Sequence, residues 1–210
     1  WGLILALARN IPRDSAAMAA GGWQAGPGKP LGRGLNGGTI GIVGLGKQGR
    51  QVAGFANAFG MEVLAWSRSL TETAAAGHGA RRVELDALLA ASDIVTIHIP
   101  LNDGSRGLIG AREIGLMKPT GFLVNTSRGP IVDEAALLEA LNAGRIAGAG
   151  IDVYDIEPLP ADHPLRRAPN AVLTPHTGYV TRENLELMYR EAVEDIAAFL
   201  DGAPVRVLNG

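Results

Sequence analysis

The chain has 210 residues, 47 % of them hydrophobic, with 19 Lys or Arg against 21 Asp or Glu and no cysteine. This is enough for one large or two small domains with a real core, and a formal net charge of −2 gives no electrostatic case for nucleic acid or an anionic membrane. The lack of cysteine excludes disulfides, thiolate metal sites and cysteine nucleophiles, and no apolar run approaches the ~20 residues of a membrane span, a pattern that fits a cytoplasmic protein.

In chain order, Trp1 to Arg9 reads as a helix already under way. It lacks the basic head and small-residue cleavage site of a secretory signal. The expectation is a fragment, with sequence missing before Trp1. A Gly/Pro-rich connector follows, from about Gly21 to Gly38. Then comes Thr39-Ile40-Gly41-Ile42-Val43-Gly44-Leu45-Gly46-Lys47-Gln48-Gly49. An apolar strand-like run leads into Gly-x-Gly-x-x-Gly and on into a helical pattern, the order a dinucleotide-binding turn requires. Gly44 permits the tight turn, Gly46 lets the backbone approach a pyrophosphate, and Gly49 lets the helix lie close on the strand. The helix amino terminus then offers N–H groups and a positive dipole end to the phosphates.

Beyond the loop, strand and helix patterns alternate. Strands are expected at Thr39–Val43, Glu62–Trp66, Ile94–Ile97, Phe122–Val124, Ala147–Ile151 and Ala171–Leu173. Several are continuously apolar, as strands buried on both faces are. Helices are expected at Gln48–Phe59, Leu85–Ala91, Ala111–Met117 and Glu134–Ala143, with a last amphipathic helix from about Glu183 to Leu200. This alternation implies an α/β fold: a doubly wound parallel sheet of the Rossmann type with helices on both faces. Ligands of such sheets sit beyond the carboxyl ends of the strands. Ser67 and Arg68, His98 and Pro100, Asn125–Arg128, Asp152, and Thr174–His176 all fall there.

Arg128 lies in Asn125-Thr126-Ser127-Arg128-Gly129, after a strand and at an expected helix start. A dipole disfavours a cation there, so a carboxylate ligand explains it better than a plain surface position. Glu157 and His176 follow successive strands, so a Glu–His pair could share the sheet edge. Such a pair fixes one tautomer, favours the protonated ring and suits proton exchange with a carbonyl or alcohol. Of the other histidines, His78 reads as solvated, His163 as a turn residue and His98 as a possible nucleotide contact. No cluster has metal-ligand spacing, and Ser127 is not in a nucleophile elbow.

Together these motifs resemble the D-isomer-specific 2-hydroxyacid dehydrogenases. The likeness runs from Leu7-Ala8-Arg9-Asn10-Ile11-Pro12 and the glycine loop through Ser92–Leu101, Met117-Lys118-Pro119, Asn125–Gly129 and Val132-Asp133-Glu134 to Asp152–Pro158 and Thr174–Gly178. The resemblance implies that Arg128 binds the substrate carboxylate, His176 is the general acid/base, Glu157 raises its pKa, and Asp152 contacts the nicotinamide side. The coenzyme set it implies is Gly44, Leu45, Gly46, Lys47, Gln48, Gly49, Ser67, Arg68, His98, Pro100, Thr126, Ser127, Asp152 and Gly178, with no metal. It also implies a coenzyme domain over residues 1–178 with its preceding helix and connector, and a crossover helix and tail over 179–210. By the resemblance, the family's substrate-binding domain, mostly N-terminal to such a segment, is expected to be missing from these residues. The expectation is therefore coenzyme binding with little turnover by these residues alone. Family members are commonly dimers, and Trp1, Leu3, Ile4 and Leu7 would want a partner surface or the absent domain's junction.

One position departs from the NAD-preferring pattern. An acidic residue usually ends the second strand, but here Ser67 and Arg68 stand there. They would accept a 2′-phosphate that a carboxylate would repel, so NADP(H) is favoured, with NAD(H) possible. The leading function is reduction of a small 2-oxoacid such as glyoxylate or hydroxypyruvate to a D-2-hydroxyacid. The alternatives are a nucleotide-sensing, corepressor-like binding module and a phosphite dehydrogenase-like enzyme. Formate dehydrogenases resemble the pattern with Gln, not Glu, beside the His.

Overall fold

The computed structural model describes residues 1–24 and 31–208. Within the expected connector, residues 25–30 lie outside the described residues. The chain divides into two compact units, Trp1–Pro175 and His176–Gly210.

The first unit opens with α1 (Gly2–Ala8) and α2 (Ile11–Ala19). It continues through β1 (Thr39–Val43), α3 (Lys47–Ala58), β2 (Glu62–Trp66), α4 (Glu72–Ala76), β3 (Arg81–Arg82), α5 (Leu85–Ala91) and β4 (Ile94–Ile97). Then follow α6 (Ala111–Leu116), β5 (Phe122–Asn125), α7 (Glu134–Asn142), β6 (Gly148–Ile151) and β7 (Ala171–Leu173). Seven parallel strands form one sheet in the order β3-β2-β1-β4-β5-β6-β7. The chain runs outward one way from β1 and the other way from β4, so the winding reverses between them. A crevice at that reversal is the ligand position of an open α/β sheet. The register aligns the carboxyl ends: Val43 faces Trp66 and Ile97, and Asn125 faces Ile97 and Ile151. Residues that leave these ends therefore emerge along one edge.

Helices cover both faces, which is why the strands are apolar without alternation. On one face, Ile40, Ile42, Val63, Ile94 and Val124 pack with Leu3, Ile4 and Leu7 of α1 and Ala53 and Ala56 of α3. On the other, Val95, Ile97, Leu123 and Ile151 pack with Leu88 and Leu89 of α5, Ile114 of α6, and Leu137 and Leu141 of α7. The expected doubly wound α/β sheet is the observed one. Several short elements escaped sequence reading. Asn10, with φ 54°, ends α1, and α2 then restarts at Ile11 with Pro12 in its first turn. The edge strand β3 is only Arg81–Arg82, paired with Leu64 and Ala65, and has no apolar run to announce it.

The second unit contains α8 (Arg182–Leu200), which starts where the Thr181 hydroxyl accepts the Asn184 N–H at 3.2 Å. Its tail folds back through Arg206, which pairs with Glu194 at 2.9 Å and Asp195 at 2.8 Å.

At the amino edge of the sheet one carboxylate joins three segments. Asp93 accepts the Thr39 N–H at 2.8 Å, the Arg33 guanidinium at 3.0 Å and the Lys118 ammonium at 2.9 Å. Burial pushes its pKa up, but the Thr39 N–H and Lys118 more than offset this and hold it below the ordinary carboxylate value. Asp93→Ala strands the Thr39 donor, and the expected loss is about 2 kcal/mol of unfolding free energy. Denaturant titration of the full-length gene product measures it, and an unchanged midpoint would contradict this role.

Candidate functional site

The turn from β1 into α3 is set by three glycines. Gly44 has φ +103°, and a Cβ there would lie 2.6 Å from the His98 carbonyl oxygen. A Cβ on Gly49 would lie 2.0 Å from the Gly44 carbonyl oxygen. Both positions exclude a side chain unless backbone moves. Gly46 is different: nothing lies within 4 Å of its Cβ position. It caps α3 without a side-chain hydrogen bond, and the first turn carries no acidic residue. The space beside Gly46 is thus open and the opening N–H groups of α3 carry no side-chain cap, which fits a dinucleotide's pyrophosphate. Gly46, Lys47 and Gln48 are exposed, Leu45 and Gly49 are buried, and Arg50 donates to the Leu45 carbonyl at 3.1 Å.

Strand β2 ends in Ser67 and Arg68. Ser67 is half-buried and its carbonyl accepts the Leu70 N–H at 3.2 Å. Arg68 is exposed and donates from Nη2 to the Asn102 side-chain oxygen at 3.4 Å. It thereby leans across to the loop that follows β4. On that loop, the His98 backbone N–H donates to Val43 at 2.7 Å, and its Nε2 lies 3.0 Å from the Thr96 hydroxyl. Burial pushes the His98 imidazole down to about 4, so the ring is neutral at pH 7. Pro100 is exposed, and its carbonyl accepts the Ser105 hydroxyl at 2.8 Å.

After β5, the buried Asn125 shapes the next loop. Its Nδ2 donates to the Arg128 carbonyl at 2.9 Å, and its Oδ1 accepts the Ser127 N–H at 3.0 Å. The Ser127 hydroxyl donates to the Ile99 carbonyl, tying the β4 and β5 loops together. Thr126 and Arg128 are exposed, and Arg128 donates from Nη1 to the Ser127 carbonyl at 2.6 Å. The helix expected at Arg128 is only a 3₁₀ turn, Gly129–Ile131. The dipole argument for Arg128 therefore falls, because three residues align too few peptides. What remains is its exposed guanidinium at the carboxyl edge.

Asp152 is only 3 % exposed and accepts the Thr174 hydroxyl at 2.5 Å. Glu157 accepts the Tyr154 N–H at 2.8 Å, while the Tyr154 hydroxyl donates to the Thr174 carbonyl at 2.9 Å. Burial, then the charge of Asp152, pushes the Tyr154 phenol up to about 12, so it stays a donor. His163, read as a turn residue, does open a 3₁₀ turn at Pro164–Arg167. It also reaches Glu134 of α7 at 3.0 Å.

The first unit thus brings Gly44, Leu45, Gly46, Lys47, Gln48, Gly49, Ser67, Arg68, His98, Pro100, Thr126, Ser127, Arg128, Asp152 and Glu157 to the strand-end loops and the β1–α3 turn. His176 and Gly178 belong to the second unit. There His176 has φ 54°, and its ring meets Tyr179 edge-on with centroids 5.7 Å apart. Sequence reading missed Asn125 and Tyr154 as shaping residues, since their partners follow from chain folding and not from spacing.

His98 gives this region a pH signature. Its folded pKa of about 4 lies below the ordinary 6.5, so the unfolded chain takes up the proton first as pH falls. Stability is lost from pH 6.5 down to about 4. Between pH 7.5 and 5 the protein should lose about 2 kcal/mol more than its His98→Gln variant. Denaturant midpoints at the two pH values measure this, and equal losses would contradict a buried neutral imidazole.

Residues 1–178 match the family profile of the D-isomer specific 2-hydroxyacid dehydrogenase, NAD binding domain. A glyoxylate reductase of Aeropyrum pernix is 43 % identical over 215 aligned residues, covering all of this chain and 64 % of the relative. Among solved structures, a phosphoglycerate oxidoreductase of Vibrio cholerae O395 is similar at a TM-score of 0.90 and 37 % identity, covering 97 % of this chain and 65 % of that one. A D-lactate dehydrogenase of Aquifex aeolicus, complexed with NAD and lactic acid, is similar at 0.86 and 30 % identity, covering 96 % and 65 %. The chain therefore spans a little under two thirds of the lengths of these proteins. Glycine loop, winding reversal and profile agree: the chain belongs to the D-isomer specific 2-hydroxyacid dehydrogenase family, and residues 1–178 are its NAD-binding domain.

Proposed function

We propose that this chain carries the coenzyme half of an oxidoreductase that reduces a small 2-oxoacid, of the glyoxylate or hydroxypyruvate kind, to a D-2-hydroxyacid with NADP(H). The observation that carries the reading is the convergence of the glycine turn, Arg128, Asp152 and Glu157 along one carboxyl edge of the sheet. The glyoxylate reductase among the relatives favours the substrate class. A bound nicotinamide would supply or accept the hydride.

The chain's own residues would do the rest. The planar fork of Arg128 would grip the substrate carboxylate by two hydrogen bonds and so fix the 2-oxo carbon. His176 would give a proton to the carbonyl oxygen during reduction and take it back from the alcohol in reverse. Glu157, whose Oε1 accepts the Tyr154 N–H at 2.8 Å, would be the acidic member of the catalytic set. Asp152, buried and bonded to Thr174, would act as an acceptor near the nicotinamide side. Ser67 and Arg68 in place of a carboxylate favour a 2′-phosphorylated coenzyme. Pairing of two copies is the assembly we infer.

The test is coenzyme oxidation by the full-length gene product with glyoxylate, hydroxypyruvate, pyruvate and phenylpyruvate, using NADPH and NADH at matched ionic strength. Activity should be greatest with the two small oxoacids and with NADPH. Arg128→Ala should lower kcat/KM by roughly 100-fold or more, largely through KM, while coenzyme affinity holds. No turnover of any 2-oxoacid would favour a nucleotide-sensing binding module.

A further inference from the structure

Arg68 reaches a turn on the neighbouring loop. The turn Asn102-Asp103-Gly104-Ser105 follows β4. Asn102 Oδ1 accepts the Gly104 N–H at 3.1 Å and Arg68 Nη2 at 3.4 Å. At Gly104 a Cβ would lie 2.2 Å from Arg68 Nη2, 2.7 Å from its Cζ and 2.8 Å from its Nη1. Those three atoms are the nearest to that position, so the guanidinium lies where a side chain at residue 104 would be. Gly104 has no positive φ, so the one obstacle to a side chain there is the Arg68 guanidinium, which would have to shift. Beneath the turn, the buried Ser105 accepts the Asn102 N–H at 2.8 Å and donates to the Pro100 carbonyl at 2.8 Å. These two bonds fix the shape of the turn from within.

We propose that the Asn102–Ser105 turn is a coenzyme-specificity element, which holds the Arg68 guanidinium across the crevice for a 2′-phosphate. The inference rests on the NADP(H) reading given above. β2 and β4 are the two neighbours of β1 in the sheet. An Arg that leaves β2 and touches the β4 loop therefore bridges the end of β1, where the glycine loop begins. Holding this side chain in one place removes ordering that binding would otherwise have to supply. Asn102 is neutral and takes one of the five guanidinium N–H donors. The positive charge and the remaining donors stay available for a phosphate, whose geometry the fork fits. A carboxylate at 102 would hold the same group but cancel its charge.

The adenosine end can be read without turnover, by calorimetric titration of the full-length gene product with 2′,5′-ADP and with 5′-ADP at matched ionic strength. The protein should bind 2′,5′-ADP at least ~10-fold more tightly, and Arg68→Ala should erase the ratio. Gly104→Ala displaces only a flexible side chain, and Asn102→Asp keeps the acceptor for the Gly104 N–H, so both should fold. Each should reduce the ratio by roughly 3- to 10-fold, with 5′-ADP affinity within about 2-fold. In an Arg68→Ala background, Gly104→Ala should have no further effect, which marks a residue that acts through Arg68. A ratio that survives both turn variants while Arg68→Ala still erases it overturns this inference and leaves the NADP(H) reading standing. Tighter binding of 5′-ADP by the unaltered protein overturns both.

Discussion

The start of α3 depends on two close backbone approaches. At Gly44 the chain passes so near the His98 carbonyl that a Cβ would stand 2.6 Å from its oxygen, and at Gly49 the helix passes closer still to Gly44, where a Cβ would stand 2.0 Å from the carbonyl oxygen. These two approaches fix where α3 begins and at what height above the sheet. The winding reversal between β1 and β4 then leaves the helix amino terminus facing a crevice, with Gly46 clearing its mouth. Side chains at either contact would push α3 off the switch point, and its opening N–H groups would move with it.

The surrounding loops are tied to each other rather than each to the core alone. Ser127 bonds the β4 loop, Asn125 closes the β5 loop on itself, and Thr174 joins the β7 end to Asp152. Arg68 adds a contact between the β2 and β4 loops. The strand ends thus present a linked rim in which Arg128 and Glu157 remain exposed. Structural charges sit elsewhere: Asp93 gathers Arg33, Lys118 and Thr39 at the opposite edge. The two edges of the sheet are thus held differently, one by an ion cluster and the other by loop-to-loop hydrogen bonds.

Much of this was legible in the sequence because it is local. The apolar runs Thr39–Val43 and Ile94–Ile97 need no partner to be recognised, and the glycine spacing carries its own steric logic. Arg81–Arg82 was illegible for the opposite reason: it is a strand only because Leu64 and Ala65 pair with it. Asn10 broke the first helix by adopting a left-handed conformation that its sequence neighbours do not force. The site divides the same way. Arg128 and Glu157 stand out at strand ends, whereas the contact of Arg68 with Asn102 spans 34 residues and exists only once β2 and β4 flank β1. Tyr154 carried no signal in the sequence, yet its N–H and hydroxyl hold Glu157 and Thr174.

The central claim is that the cleared space at Gly46 receives a dinucleotide's pyrophosphate. Gly46→Asp tests it most directly, because nothing lies within 4 Å of the Cβ position and Gly46 already occupies the helix cap with φ −80°. An aspartate there is a good cap, so the fold should hold or gain stability, but its carboxylate would occupy and repel the phosphate position. Titration of the full-length gene product with NADPH and NADH, followed by nicotinamide fluorescence, should show saturable binding that Gly46→Asp weakens at least ~100-fold with Tm maintained. Binding that is unaffected by the aspartate, or no saturable binding by the unaltered protein, would contradict the account.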